Sequence, residues 1–170
     1  MNIYTRTGDQ GTTSSFSGQR FRKDDLIIEI NGLIDESIAS LESLIFYEST
    51  EHTLKQLNRI YDALYMLGAE VSSGKTTNLP RVISQGFVDK LEQLIDEHNI
   101  KLDSFQRFKT IKGVQTNELR VRIRKLERVL TKLLRVQSLR PVVFAYVNRL
   151  SDYIFTLSIY YEREGLPSKL

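Results

Sequence analysis

Arg120, Arg124 and Arg128 fall at i, i+4 and i+8, so on a helix their guanidinium groups line one flank, with Glu127 beside the last. From Glu118 to Arg140 the chain carries eight basic and two acidic residues, an excess larger than the net charge of +3 of the whole chain. Three roles suit such a flank. It is a solvated basic face, the usual fate of a charge run; or a nucleic-acid face; or a polyphosphate site, in which guanidinium forks donate paired, charge-assisted hydrogen bonds to phosphate oxygens. No aromatics interleave with the basic residues, tryptophan is absent, and the helix matches no known DNA-reading pattern, all of which count against nucleic acid. A second stretch bears on the choice. "YTRTGDQGTTSSFSGQRFRKDD", residues 4 to 25, holds three glycines and seven serines or threonines. Clustered glycines let backbone amides turn toward an anion and hydroxyls add donors, as in phosphate-cradling nests. Loop and helix would then be two halves of one site. A Gly/Ser/Thr-rich terminus is also often simply disordered, but Ile3, Tyr4 and Phe16 give this one apolar anchors.

The elements that must position these groups are read from the spacing of apolar residues, which recur with a helical period in five stretches. The first runs through Ile27, Ile30, Ile34, Leu41 and Ile45. The second runs through Leu54, Leu57, Tyr61, Leu64, Gly68 and Val71, widened by Ile60 and Leu67, and is expected to end near Gly74. A shorter third carries Phe87, Leu91, Leu94 and Ile95. The fourth carries Leu119, Ile123, Leu126, Leu130 and Leu133. The fifth starts at Pro141, suited to a first helical turn, and buries Val142, Tyr146, Leu150, Tyr153, Ile154 and Leu157. No stretch reads as a strand. The expectation is one all-α domain of 170 residues, an opening loop over 1–25 followed by a bundle of four main helices and a shorter one over 26–164.

Several classes of function are made unattractive by composition. There is no cysteine, and only His52 and His98 could offer imidazole, so a metal held by protein side chains is not expected. No run of about 18 apolar residues could span a bilayer, and the first ten residues lack a signal-peptide pattern; a cytoplasmic protein is the expectation. "GAEVSSGKTT" imitates a P-loop, but Gly68 lies one residue too far from Gly74 and the segment follows a helix, so a helix end and a solvated turn fit better.

"IYTRTGDQGTTSSFSGQRFRKDD", "GLIDES", "LGAEV", "RVRIRKLER" and "NRLSDYIF", in that order, resemble the ATP:cob(I)alamin adenosyltransferase family of the trimeric helical-bundle type. The resemblance covers nearly the whole chain. It implies a five-helix, ferritin-like up-and-down bundle that assembles as a homotrimer, with ATP bound at subunit interfaces beneath the N-terminal loop. Carried over by residue, it makes Thr5, Arg6, Thr7, Gly8, Thr13 and Ser14 the loop that wraps ATP, ordered by the nucleotide, and sends Lys23 to the triphosphate. On the fourth helix Arg124, Lys125, Glu127 and Arg128 match the nucleotide-contacting segment, and Asn148 matches a further ATP contact. Asp35 and Arg120 match an intersubunit pair. Asp152, in the same motif as Asn148, could instead brace the bundle.

The implied reaction is attack by the nucleophilic Co(I) of cobalamin on the 5′ carbon of ATP, with release of triphosphate. No protein nucleophile is needed. Lys23 and Arg124 would be the catalytic residues, stabilising charge on the triphosphate together with Mg²⁺ bound through its phosphates. Phe105 or Phe108 would wall the corrinoid site. The chain departs from the family by lacking a proline-glycine-glycine turn before the fourth helix, by having Lys125 in place of the common arginine, and by lacking an asparagine after "DE" of "IDESIAS". The alternative function is an ATP-binding bundle that serves as sensor or scaffold without turnover.

Overall fold

The computed structural model describes residues 4, 6–15, 18–73, 79–102 and 106–165. Five helices follow one another: α1 (Leu26–Tyr47), α2 (Glu51–Ser73), α3 (Gln85–His98), α4 (Ile111–Leu133) and α5 (Pro141–Glu164). They are the five periodic stretches, extended at their ends. Each hides one apolar stripe. Leu33 and Leu41 of α1, Leu57 and Leu64 of α2, Leu119 and Leu126 of α4, and Tyr146 and Tyr153 of α5 all enter one core. α1 packs against α2 and α4, α4 against α5, and α5 against α3, so the shorter helix covers the outer side of α5. Within α5 the stripe is turned slightly from the expected phase: Val143 is buried and Val142 only partly so. The expected end of α2 at Gly74 lies outside the described residues, although the last helical residue is Ser73.

The absence of strands is corrected by the structure. β1 (Thr12–Ser14) and β2 (Arg20–Arg22) form an antiparallel hairpin ahead of α1, in the register Thr12 to Arg22 and Ser14 to Arg20. Its strands are three residues long, too short for an alternating pattern to be visible, and turn chemistry makes the hairpin. Gly11 and Gly18 take positive φ of 76° and 80° at its two ends, a backbone region open to glycine without strain. Arg20 then ties the hairpin together, donating to the Thr7 carbonyl at 2.9 Å and to the Thr12 hydroxyl.

Three charged groups lock the helices in place. Glu162 of α5 caps α4 from outside, accepting from the backbone amides of Lys109 and Thr110 at 2.9 Å each. Those amides belong to the approach to α4, where an unpaired donor would be costly. Glu48, at the end of α1, accepts from Lys112 at 2.9 Å and from the Tyr161 hydroxyl. Burial opposes charge on Glu48, but the hydrogen bonds from Tyr161, Thr50 and Lys112 outweigh it and hold its carboxyl at about 2. Glu70, the acid of "LGAEV", is a structural anchor: it accepts from the Ile83 amide at 2.9 Å and from two nitrogens of Arg140.

Candidate functional site

The opening segment builds a cationic cradle. Lys23 follows β2 directly and its backbone amide donates to the Gly11 carbonyl at 2.9 Å, which folds the side chain back over the turn. A Cβ placed on Gly8 would lie 3.4 Å from Lys23 Nζ and 3.2 Å from the Thr12 carbonyl oxygen. Glycine thus leaves the ammonium close above bare backbone. No acid pairs with Lys23 among the described residues, because Asp24 is taken by Arg22 at 2.8 Å and Asp25 accepts the Arg22 amide. Arg6, at φ 60°, lays its guanidinium 5.7 Å from the centre of the Tyr4 ring. Below the hairpin lies a cleft of about 420 Å³ against α1 and α2, lined by Thr13, Ser14, Asn31, Asp35, Tyr65 and Ser72 among others. Asn31 donates to the Ser72 hydroxyl at 2.9 Å across its floor. Asp35 is exposed at its edge, without hydrogen bond or ion pair to any described residue.

The helical half is built by α4 and α5. Arg124, Lys125 and Arg128 are exposed and have no acid partner among the described residues. Their neighbours are spoken for. Arg122, between them and α1, pairs with Glu36 at 3.1 Å, and Glu127 accepts from the Asn148 amide at 2.9 Å. That last bond joins two expected site residues on adjacent helices. Asp152 braces the bundle, accepting from Arg149 at 2.7 Å while Arg149 also reaches Glu92 of α3.

Arg120 sits where this flank meets a third feature, a cavity of about 540 Å³ under the segment before α4. Its apolar walls include Phe108 and Phe155, whose rings meet edge to face at 6.4 Å. Arg120 lies over the Phe155 ring at 5.1 Å, and its Nε donates to Asn117 at 2.8 Å. Burial first, and then the charge of Arg124, push the Arg120 guanidinium below its usual range. Phe155 and Asn117 escaped the reading of the residues. Phe155 was visible only as the last letter of "NRLSDYIF", since its partner Phe108 is 47 positions away and no periodicity links them.

The cleft and the arginine flank are built by different elements. The cleft beneath the hairpin is lined by the hairpin, α1 and α2 and by no residue of α4, and no hydrogen bond or ion pair among the described residues links Lys23 to Arg124. Thr5 and Phe105 lie outside the described residues, as do the expected anchors Ile3 and Phe16. The third anchor, Tyr4, is corrected by the structure: it is 71% exposed and anchors nothing in the core, its ring serving Arg6 instead. Among the described residues no group of three or more acidic or histidine side chains could hold a metal, and no helix is long and apolar enough to cross a membrane.

A five-helix bundle with a glycine-rich, lysine-bearing hairpin, an unpaired arginine flank and an aromatic-walled cavity beside it defines an all-α protein equipped for anions next to an apolar ligand. The family model for cobalamin adenosyltransferase matches residues 3–161. The chain belongs to that family. It is 37% identical over 164 residues to a corrinoid adenosyltransferase of Citrobacter freundii, covering 92% of each protein. It is 33% identical to the corrinoid adenosyltransferase PduO of Salmonella typhimurium, and there the match takes in 93% of this chain but 49% of the longer relative. Its fold matches a variant PduO-type ATP:corrinoid adenosyltransferase from Lactobacillus reuteri, complexed with cobalamin and ATP. The TM-score is 0.85 at 24% identity, covering 98% of this chain and 97% of the other.

Proposed function

We propose that the chain transfers the 5′-deoxyadenosyl group of ATP to the Co(I) of cobalamin or a related corrinoid. The cobalt to carbon bond forms as the bond from the 5′ carbon to the triphosphate oxygen breaks, and triphosphate leaves with its negative charge. The observation that carries this reading is the adjacency on α4: Arg120 closes the aromatic-walled cavity, and Arg124, one turn further along, begins the unpaired arginine flank. A corrinoid in the cavity and a triphosphate on the flank would be held about one helical turn, roughly 5 Å, apart. Phe108 and Phe155 would exclude water from the cobalt, and Lys23 and Arg124 would meet the departing triphosphate. Mg²⁺ would be held by the phosphates. Formation of adenosylcobalamin from ATP and chemically reduced cobalamin, followed by absorbance, is the direct test. ATP binding without product would leave the sensor or scaffold reading in its place.

The hairpin cleft and the α4 flank are built by different elements, and in this reading a homotrimer would bring the hairpin of one chain over α4 of the next. The pairing of Asp35 with Arg120 across that boundary suits the geometry: Asp35 is exposed and unpaired, and only Nε of Arg120 has an acceptor among the described residues. Light scattering at micromolar concentration is expected to give the mass of three chains, with a shift toward monomer in Arg120→Ala. A monomeric wild type would sink the shared site, and an unchanged trimer in the variant would remove the role of the pair.

A lone two-stranded hairpin is marginally stable in water. MgATP is therefore expected to slow hydrogen exchange of the amides in β1, β2 and the Gly8 turn, by bonding donors that solvent otherwise reaches. Identical exchange with and without MgATP would place the nucleotide elsewhere. The cytoplasm, where ATP and reduced corrinoid meet, is the compartment that fits this chemistry.

A further inference from the structure

A separate cleft of about 390 Å³ opens between α2 and α3, with Tyr146 of α5 among its lining residues and none from α1, α4 or the hairpin. Two buried polar side chains in it lack partners. Gln56 is 4% exposed and Tyr146 1% exposed, and neither makes a side-chain hydrogen bond to any described residue. Neither side chain holds a sealed, unsatisfied atom, so their polar ends open onto the cleft, where water or a ligand group can bond them. The rim is cationic. Arg59 is exposed with no acid partner, Lys90 reaches only the neutral Gln93, and Arg81 stands 3.9 Å from Asp62, the one acid in the lining. The first turn of α3 adds free donors, since the Ser84 side chain makes no capping bond. The inner wall is aromatic, with Phe87 and Tyr146 edge to face at 6.1 Å.

We propose that this cleft is a second binding site, apart from the nucleotide and corrinoid sites, for a small aromatic anion. Its ring lies against Phe87 and Tyr146, its charged group meets Arg59, Arg81 and Lys90, and the Gln56 amide bonds a polar atom of its inner end. The size and the mix of apolar wall with few converging polar groups are those of a small-molecule pocket. Charge alone does not define the occupant, because a bare anion would leave the aromatic wall wet.

The full chain, saturated with MgATP to block the nucleotide site, is titrated calorimetrically with phenyl phosphate, benzoate and inorganic phosphate. One of the two aromatic anions is expected to bind once per chain, and its identity separates phosphate from carboxylate as the charged group. Inorganic phosphate is expected to bind at least about tenfold more weakly. Replacing Arg59 and Lys90 together by alanine, or Gln56→Leu, is expected to weaken the aromatic anion by about tenfold or more. Gly86→Trp should fill the cleft and abolish binding while adenosyl transfer is unchanged, since a Cβ at Gly86 meets only the Ser84 hydroxyl, at 3.8 Å. The proposal is overturned by no binding of either aromatic anion at millimolar concentration, by equal affinity for inorganic phosphate, or by undiminished binding in Gly86→Trp. A changed assembly mass in Gly86→Trp would also overturn it, by assigning the cleft to another copy of the chain.

Discussion

Arg124→Ala is expected to lower turnover at saturating ATP by roughly 30-fold to 1000-fold, the loss of about 2 to 4 kcal/mol that follows removal of one preorganised donor from a developing anion. The side chain is exposed and unpaired among the described residues, so no described acid competes for its guanidinium. It stands one turn beyond Arg120, whose own charge is already disfavoured by burial and then by Arg124. Two cations so placed repel each other until a polyanion arrives between or beside them. Charge on the leaving triphosphate grows as the carbon to oxygen bond breaks, so the deficit should appear mainly in kcat, with a smaller effect on the KM for ATP. Lys125→Ala is the internal control. At i+1 it points about a quarter turn from the flank and carries no bidentate fork, and its loss should cost much less. Wild-type turnover in Arg124→Ala with an inactive Lys125→Ala would show that the site uses the adjacent face of α4. Wild-type turnover in both would return the basic run to solvent.

The second large effect concerns stability. Arg140→Ala is expected to destabilise the fold by about 2 to 4 kcal/mol, between the cost of breaking a buried ion pair and that of an exposed one, since the carboxylate is buried while the Arg140 side chain is 36% exposed. The Glu70 side chain is 2% exposed, and Arg140 meets it with two nitrogens, at 2.6 Å and 3.1 Å. The same arginine donates to the Ile83 carbonyl at 2.7 Å, while Glu70 accepts the Ile83 amide. One pair therefore fastens three pieces of chain: α2, the segment entering α3 and the start of α5. Without Arg140 the carboxylate would keep a single amide donor inside the core. Urea denaturation of wild type and variant at one protein concentration, which matters for an assembly, measures the difference. A loss below about 1 kcal/mol, the scale of an exposed pair, would mean that water reaches Glu70 and that the pair does little for the fold. Arg140→Lys should recover part of the loss, because the charge returns but not the second bond.

Arg140 also shows where reading along the chain stops. In sequence it is one more cation at the end of a basic run; in the fold it faces away from that run and neutralises an acid 70 positions earlier. Arg122 is a similar case, since it lies inside the run yet is occupied by Glu36 of α1. Arg124 and Arg128 look no different by composition, and only packing decides that they remain unpaired.

The helices were legible because helix formation and amphipathic burial are local: residues three and four apart share a face whatever the rest of the chain does. Thus the stripes through Leu57 and Leu64, and through Leu119 and Leu126, were found within a residue or so of their place in the core. The glycine-rich opening, the arginine spacing and the ordered motifs of the family were also written in the residues themselves. The hairpin was not, because its short strands depend on Gly11, Gly18 and Arg20 acting together across a turn. Nor was the meeting of Phe108 with Phe155, of Glu127 with Asn148, or of Glu48 with both Lys112 and Tyr161. Each joins different elements, and which elements touch depends on how whole stripes pack, a choice made by the summed burial of many side chains. Local spacing determined the helices and the charge they carry; tertiary packing alone decided which charges are neutralised and which are left to bind.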